Sequence, residues 1–204
     1  MRHNLGHRIL LVATGNRGKQ REYQALLAGL PYVLKFPQDT GLALEVEESG
    51  ATYAQNAALK ARAWAEATGW LVLADDSGLE VEALDGAPGL YSARYAPGPH
   101  PTDADRRRYL LGNLAARPRP WQARFVCVIA VAAPGEVMHF AEGVCAGEVI
   151  PEARGEHGFG YDPIFLLPAR GLTMAELSPD EKNRLSHRAH AAAAIRPILE
   201  ALAR

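Results

Sequence analysis

The 204-residue sequence is poor in cysteine, and the two that occur, Cys127 and Cys145, lack the CxxC spacing typical of zinc sites. Both lie in apolar stretches, so we expect buried free thiols. No apolar run approaches the ~20 residues that a membrane-spanning helix requires. The first seven residues are polar and do not resemble the apolar core of a signal peptide. We therefore expect a cytoplasmic protein with no membrane partner.

Net charge is also nearly absent, because 22 basic residues face 23 acidic ones and the formal net charge is −1. Without a strong positive potential we expect no nucleic-acid partner. Lysine is scarce, with four residues beside 18 arginines, and three of the four lie in the polar segments discussed below. The 48% hydrophobic content predicts one globular domain over residues 1–204, with residues 1–7 as a loose N-terminal extension.

Short apolar runs alternate with amphipathic segments in the first part of the chain. The pattern predicts strands at 8–13, 32–36 and 70–74, and helices at 19–27 and from Thr52 to about Thr68. A helix at 106–115, a hairpin of 124–132 and 137–150, an apolar run at 164–167 and one final helix from about 179 to 203 follow. This order predicts an α/β fold with a mixed sheet and flanking helices.

The first predicted strand runs into the segment 14–19, Thr-Gly-Asn-Arg-Gly-Lys. Its two glycines allow close approach of the backbone to an anion, the following helix presents N–H groups, and Lys19 adds a compact positive charge. The segment is not a Walker A loop, because Gln20 follows the lysine where a hydroxyl residue is required. These features indicate a phosphate site, and an ordinary strand-to-helix turn is the alternative.

A pair of carboxylates follows the predicted strand 70–74, in the segment Asp75-Asp76-Ser77-Gly78. Neighbouring residues at a strand end point to opposite faces, so we expect one aspartate to be structural and the other to face a cleft at the carboxyl ends of the strands. Magnesium takes one or two carboxylates plus substrate phosphates, so a second acid should converge here, with Glu47 and Glu48 as candidates. The alternative is a solvated turn.

Two late segments could bind the rest of a ligand. Phe159 lies between glycines in Gly158-Phe159-Gly160-Tyr161-Asp162-Pro163, where an exposed ring could stack on a base or, alternatively, pack in the core. Lys182, His187 and Arg188 lie near the start of the final helix. Their donors could bind phosphate or the carbonyl edge of a purine, and a solvated helix face is the alternative.

Taken together, four segments resemble the inosine triphosphate pyrophosphatase family, whose members hydrolyse non-canonical purine nucleoside triphosphates. The TxNxxK signature of that family is present as Thr14, Asn16 and Lys19. The other blocks are the sequences ADDSGLEV, LDGAPG and YSARY between 74 and 95, GFGYDP at 158–163, and EKN with SHR between 181 and 188. The similarity runs from about Ile9 to Ala201, and Glu82 departs from the aspartate of many relatives.

This resemblance implies an elongated mixed sheet with two lobes around a deep cleft, a homodimer, and Mg²⁺-dependent hydrolysis of ITP, dITP or XTP to the monophosphate and pyrophosphate. By position it implies Asp76 as the catalytic acid-base carboxylate and a metal ligand, with Glu48 as the second metal-side acid. The substrate-binding residues that it implies are Thr14, Gly15, Asn16, Arg17, Gly18, Lys19, Asn56, Lys60, Ser77, Phe159, Gly160, Tyr161, Asp162, Lys182, His187 and Arg188.

Hydrogen-bond polarity would account for base selection, because the 6-oxo group of hypoxanthine or xanthine accepts from His187 and Arg188, whereas the amino group of adenine leaves them unpaired. Two rival functions remain. A Maf-type pyrophosphatase would act on pyrimidine or modified nucleotides with a similar fold, and a nucleotide sensor would bind without turnover. A Nudix hydrolase is disfavoured because the sequence has no REXXEE stretch.

Overall fold

The computed structural model describes residues 8–204, so the predicted N-terminal extension lies outside the described residues. The helices are α1 (Arg17–Leu26), α2 (Tyr53–Thr68), α3 (Asp103–Leu114), α4 (Pro179–Leu185) and α5 (His187–Leu202). The strands are β1 (Arg8–Val12), β2 (Tyr32–Lys35), β3 (Leu71–Val81), β4 (Trp121–Ala132), β5 (His139–Val149), β6 (Phe165–Leu167) and β7 (Leu172–Thr173).

The strands form one seven-stranded sheet in the order β2-β1-β3-β4-β5-β6-β7. Strand β1 is parallel to both β2 and β3, whereas β6 is antiparallel to β5 and β7. The predicted mixed α/β sheet with flanking helices is therefore confirmed. Strands β4 and β5 are neighbours joined by the short segment 133–138, as the hairpin prediction requires.

The chain divides into two compact units. Of the described residues, unit 1 comprises 8–76 with Val128–Ala141 and Ala192–Arg204, and unit 2 comprises Ser77–Cys127 and Glu142–Ala191. In unit 1 the small side chains of α2 pack on the apolar strands, and the buried core includes Leu11, Ala57, Ala61, Trp64, Val72 and Ala130. In unit 2 a second group of buried residues contains several aromatic side chains, and it includes Leu79, Leu110, Phe125, Tyr161, Phe165 and Met174.

Local sequence signals set the helix ends. The side chain of Asn16 accepts the N–H of Lys19 and so caps α1, and Thr52 accepts the N–H of Gln55 in the same way at α2. Helix α2 ends at Gly69, whose φ of +74° is the left-handed conformation that glycine adopts without steric cost. Within residues 8–204 no helix is both long and apolar enough to cross a membrane.

Several predicted bounds differ from the structure, since α3 begins at Asp103 rather than at 106 and β4 at Trp121 rather than at 124. Strand β3 does not end at Ala74 but continues to Val81, because side chains of neighbouring elements satisfy Asp75 and Asp76, and the solvated-turn alternative fails with it. The predicted single final helix is two helices. Ser186 is extended between them, with ψ at 156°; its N–H ends α4 on the carbonyl of Lys182, and its hydroxyl accepts the N–H of Ala189 in α5. Both cysteines are buried and neither forms a disulfide, as predicted.

Candidate active site

In unit 1, a group of charged and amide side chains surrounds the first half of β3. We call it the carboxylate cluster, and its members are Lys19, Glu48, Asn56, Lys60, Asp75 and Asp76. Helix α2 supplies two of them from one face, because Asn56 and Lys60 are four residues apart. Asn56 Nδ2 donates to Asp76 Oδ2 at 2.9 Å, and Lys60 Nζ donates to the backbone oxygen of Asp75 at 2.7 Å.

The two adjacent aspartates have different partners, as the alternation of side chains along a strand predicts. Lys19 Nζ donates to Asp75 Oδ2 at 2.8 Å, and the side chains of this ion pair are 15% and 1% exposed. Asp75 therefore ties the start of α1 to β3. Asp76 instead bonds to α2 through Asn56.

Burial has a direct effect on Asp76, which is only 6% exposed. Loss of hydration is the largest influence and raises the pKa of its carboxyl group above the ordinary value. The charge of Lys60 and the hydrogen bond from Asn56 oppose that rise, and the negative charge of Glu48 adds to it. A carboxylate with a raised pKa is the kind of group that can accept a proton during a reaction.

The structure distinguishes the two candidate second acids. Glu48 is half-buried, its carboxylate accepts a hydrogen bond from Lys60 Nζ, and its charge acts on Asp76. Glu47 is exposed to solvent. The position of Glu48 therefore supports it over Glu47 as the partner of Asp76.

The donor chemistry of the carboxylate cluster fits magnesium. Within residues 8–204 no group of three or more His, Cys, Asp or Glu side chains is arranged to hold a metal ion by itself. Magnesium does not need such a group, because it is usually held by one or two carboxylates together with substrate phosphates and water. Asp76 and Glu48 supply hard oxygen donors of that kind.

The segment 14–19 lies between β1 and α1. Gly15, Asn16 and Arg17 are exposed, and a Cβ atom added to Gly15 would meet no atom within 4 Å. The Oδ1 atom of Asn16 accepts the N–H of Lys19 and caps α1, so this residue of the TxNxxK signature has a role in the helix itself. The substrate contacts of these residues stay predictions.

In unit 2, a second group of side chains extends from the ring of Phe159 to helices α4 and α5 and to the second half of β3. We call it the aromatic cluster, and its members are Ser77, Phe159, Asp162, Lys182, His187 and Arg188. Lys182 Nζ lies 4.8 Å and Arg188 Cζ 5.9 Å from the centre of the Phe159 ring, which is half-buried. Lys182 Nζ also donates to Asp162 Oδ2 at 2.6 Å, in a pair whose side chains are 6% and 5% exposed.

The last two members of the aromatic cluster are buried at the start of α5. Arg188 is 1% exposed, and its Nη2 atom donates to Ser77 Oγ at 3.0 Å. The His187 ring stacks on Phe125 with centroids 4.7 Å apart. The alternative of a solvated helix face is therefore wrong for Lys182, His187 and Arg188.

Two residues that the sequence did not single out contact the loop of the aromatic cluster. Asp103 Oδ2 accepts the N–H of Gly160 at 2.7 Å, and Arg107 Nη1 donates to the carbonyl oxygen of Gly160 at 2.7 Å. They lie 57 and 53 residues from Gly160 along the chain. The helix predicted from the sequence begins at 106, so Asp103 lies outside it, and only the structure shows that both residues leave α3 from one face.

Comparison with known proteins assigns the chain to a family. A sequence model of the Ham1 family matches residues 10–198. The chain belongs to the Ham1 family. This match covers the four blocks on which the resemblance was based, and it confirms that resemblance at the level of the family.

Curated relatives of this Ham1 protein span the same length. A protein of Nostoc sp. named dITP/XTP pyrophosphatase is 48% identical over 196 residues, covering 96% of each chain. One of Bacillus subtilis with the same name is 43% identical over 191 residues, covering 94% of this chain and 96% of the relative.

Solved structures of Ham1 proteins share the fold. The Staphylococcus aureus Ham1 protein superposes with a TM-score of 0.85 at 38% identity, covering 96% of this chain and 100% of that one. A nucleoside-triphosphatase, also titled dITP/XTP pyrophosphatase, from Mycobacterium abscessus gives a TM-score of 0.72 at 39% identity, covering 93% and 98%. These likenesses agree with the mixed sheet and flanking helices described above.

Proposed function

We propose that this chain is a nucleoside triphosphate pyrophosphatase that hydrolyses non-canonical purine substrates, ITP, dITP and XTP, to the monophosphate and pyrophosphate. The observation that carries the proposal is Asp76, a buried carboxylate with a raised pKa, positioned by Asn56 and accompanied by Glu48 and two lysines. The printed names of the Nostoc and Bacillus relatives support the substrate class.

The carboxylate cluster would carry out the chemistry. Asp76 orients a water molecule and takes its proton while the water oxygen bonds to the α-phosphorus and the bond to the bridging oxygen breaks, so that pyrophosphate leaves. Mg²⁺, held by Asp76 and Glu48, would supply neutralisation of phosphate charge when bound. Lys19 and Lys60 add positive charge at the same cluster, and residues 14–18 would bind the phosphates through backbone N–H groups.

The aromatic cluster would recognise the base. The half-buried ring of Phe159 offers a stacking surface, and the donors of Lys182, His187 and Arg188 would match acceptors on the base and sugar. A 6-oxo purine accepts hydrogen bonds from such donors, whereas the 6-amino group of adenine would leave buried donors unpaired. Ser77 and residues 160–162 would complete the contacts.

Pyrophosphate release from ITP, XTP, dITP, GTP, ATP and dTTP, measured with Mg²⁺ and with EDTA, tests this proposal. We expect magnesium-dependent release from ITP, dITP and XTP, with GTP and ATP at least about tenfold slower, which corresponds to about 1.4 kcal/mol of discrimination. Release from dTTP but not ITP would assign the protein to the Maf-type class. Binding of ITP without release would make it a sensor.

The resemblance also leads us to propose a homodimer in the cytoplasm. Sedimentation equilibrium of the full chain should give twice the mass of the 22.0 kDa chain. A monomer mass over the concentration range of the activity assay would contradict the dimer. Fractionation of the cells that express the protein tests the compartment.

A further inference from the structure

The backbone of Gly160 is held on both sides by one face of helix α3. Its N–H donates to Asp103 Oδ2 and its carbonyl accepts from Arg107 Nη1, each at 2.7 Å. Asp103 and Arg107 are four residues apart, so both side chains leave the helix from the same face. One rigid element therefore fixes both polar backbone groups of one loop residue.

The loop 158–162 has a conformation that needs such support. Gly158 and Gly160 have φ values of +78° and +62°. Glycine adopts this left-handed region without steric cost because it has no Cβ atom, but it also loses more conformational entropy on ordering than other residues do. Within the loop, Asp162 Oδ2 accepts the N–H of Phe159 at 2.8 Å and so fixes the first half. The bonds to α3 fix the residue that follows Phe159.

Asp103 is itself oriented before any ligand arrives. Its other carboxylate oxygen pairs with Arg106, which also donates to the backbone oxygens of Pro101 at 2.6 Å and Ala93 at 3.1 Å. Asp103 is the first residue of α3, where a negative charge is favoured by the helix dipole. Contacts at the start of α3, and not contacts within the loop, therefore orient the Asp103 carboxylate that accepts the N–H of Gly160.

The orientation of Gly160 affects the ring beside it. Phe159 lies under the cationic groups of Lys182 and Arg188, and on the other side of Gly160 the hydroxyl of Tyr161 donates to the backbone oxygen of Ser92 at 2.9 Å. A rotation of the backbone at Gly160 would turn the Phe159 ring away from the cations while Tyr161 stays anchored.

We propose that Asp103 and Arg107 are positioning residues that fix the loop 158–162 in the geometry that binds the base. This inference deepens the proposed function and rests on it, because it assumes that Phe159 and its neighbours contact the base. Neither residue is assigned to the carboxylate cluster, so the chemical step should not depend on them. Their effect should appear in substrate affinity through loss of preorganisation.

The test compares Arg107→Met and Arg107→Lys with a control, Arg108→Met. Arg108 is the next residue of α3; it is exposed and pairs with Asp105 at 2.9 Å. For Arg107→Met we expect the KM for ITP to rise at least about tenfold with kcat within about twofold, because only preorganisation is lost. Inhibition by inorganic tripolyphosphate, which has no base, should stay unchanged. Arg107→Lys keeps a donor and should restore part of the affinity, and Arg108→Met should match the wild type.

Backbone amide hydrogen exchange of the segment 158–162 gives a readout that does not depend on activity. We expect exchange in Arg107→Met to be at least about tenfold faster than in the wild type, at unchanged global stability. If Arg107→Met lowers the folded fraction, Asp103→Ala is the second variant, with Asp103→Asn as the conservative version that keeps an oxygen acceptor.

An unchanged KM for ITP, or equal loss of ITP and tripolyphosphate binding, would overturn the inference. A wild-type protein that does not hydrolyse ITP would instead overturn the proposed function, while the exchange experiment would still test the contact.

Discussion

The carboxylate cluster of unit 1 and the aromatic cluster of unit 2 differ in the sign of their surplus charge. The first has three carboxylates, Glu48, Asp75 and Asp76, and two lysines. The second has the one carboxylate of Asp162 with two cations, Lys182 and Arg188. A surplus of acid suits a bound cation, whereas a surplus of donors suits a ligand rich in acceptors such as an oxopurine.

The clusters also differ in how deeply their ion pairs are buried. The pair of Lys182 and Asp162 has both side chains nearly inaccessible, whereas Lys19 in the pair with Asp75 keeps 15% of its surface exposed. A fully buried pair is costly to break because the remaining charge has neither water nor a partner. The ion pair of the aromatic cluster is therefore enclosed by the fold, whereas the lysine of the carboxylate cluster stays close to solvent.

The largest expected effect is on the rate of the chemical step and comes from a change in the carboxylate cluster. Asp76→Asn keeps a hydrogen-bonding side chain but removes the proton acceptor, so we expect kcat for ITP to fall by about 10³-fold. Binding of ITP, measured by calorimetry with the inactive variant, should stay within about threefold of the wild-type KM. A variant with more than a tenth of the wild-type kcat would show that Asp76 is not the acid-base group.

The next effect is on stability and compares the two ion pairs. Lys182→Met removes the cation that lies beside the buried carboxylate of Asp162, so we expect a loss of about 3 kcal/mol in the free energy of unfolding and a Tm lower by about 6–12 °C. Lys19→Met should cost less, because water can reach Asp75 through the space that the partly exposed lysine occupied. Chemical denaturation of both variants measures the difference. Equal losses would contradict the contrast in burial.

A smaller effect separates the two neighbouring glutamates. Glu48→Gln should raise the Mg²⁺ concentration for half-maximal activity at least about tenfold, because a metal-side carboxylate is lost. Glu47→Gln is the matched control, since Glu47 is exposed, and it should leave the requirement unchanged. Mn²⁺ binding followed by electron paramagnetic resonance gives the same comparison without turnover. If only Glu47→Gln changes the requirement, the assignment of Glu48 is wrong.

The smallest effect reports on the environment of the aromatic cluster. Burial raises the pKa of the Cys145 thiol to about 11, and the negative charge of Asp162 contributes to the rise. The thiolate is the reactive form, so the folded protein should resist iodoacetamide at pH 8 and react only as the pH approaches that value. Unfolded protein should react at pH 8 as a control. Rapid alkylation of folded protein at pH 8 would show that Cys145 is not shielded.

Local features of the sequence predicted much of the fold. Apolar runs predicted β1 and β2 to within about a residue of their ends, since the last three residues of β1 are buried and no polar residue interrupts its apolar run. The spacing of Asn56 and Lys60 predicted a shared helix face, which the structure confirms. The boundary at Ala74 failed because a run of polar residues normally ends a strand, and only long-range partners allow β3 to continue through Asp75 and Asp76.

The sequence by itself determined the family, the mixed α/β class and the acids and lysines available for chemistry, because these depend on residue type, order and local periodicity. Only the tertiary structure decided which of these groups meet. Lys19 reaches Asp75 across 56 residues, Asp103 reaches Gly160 across 57, and Glu48 rather than Glu47 turns toward Lys60. Such contacts depend on how elements pack in three dimensions, and no local sequence pattern predicts which residues far apart in the chain will meet.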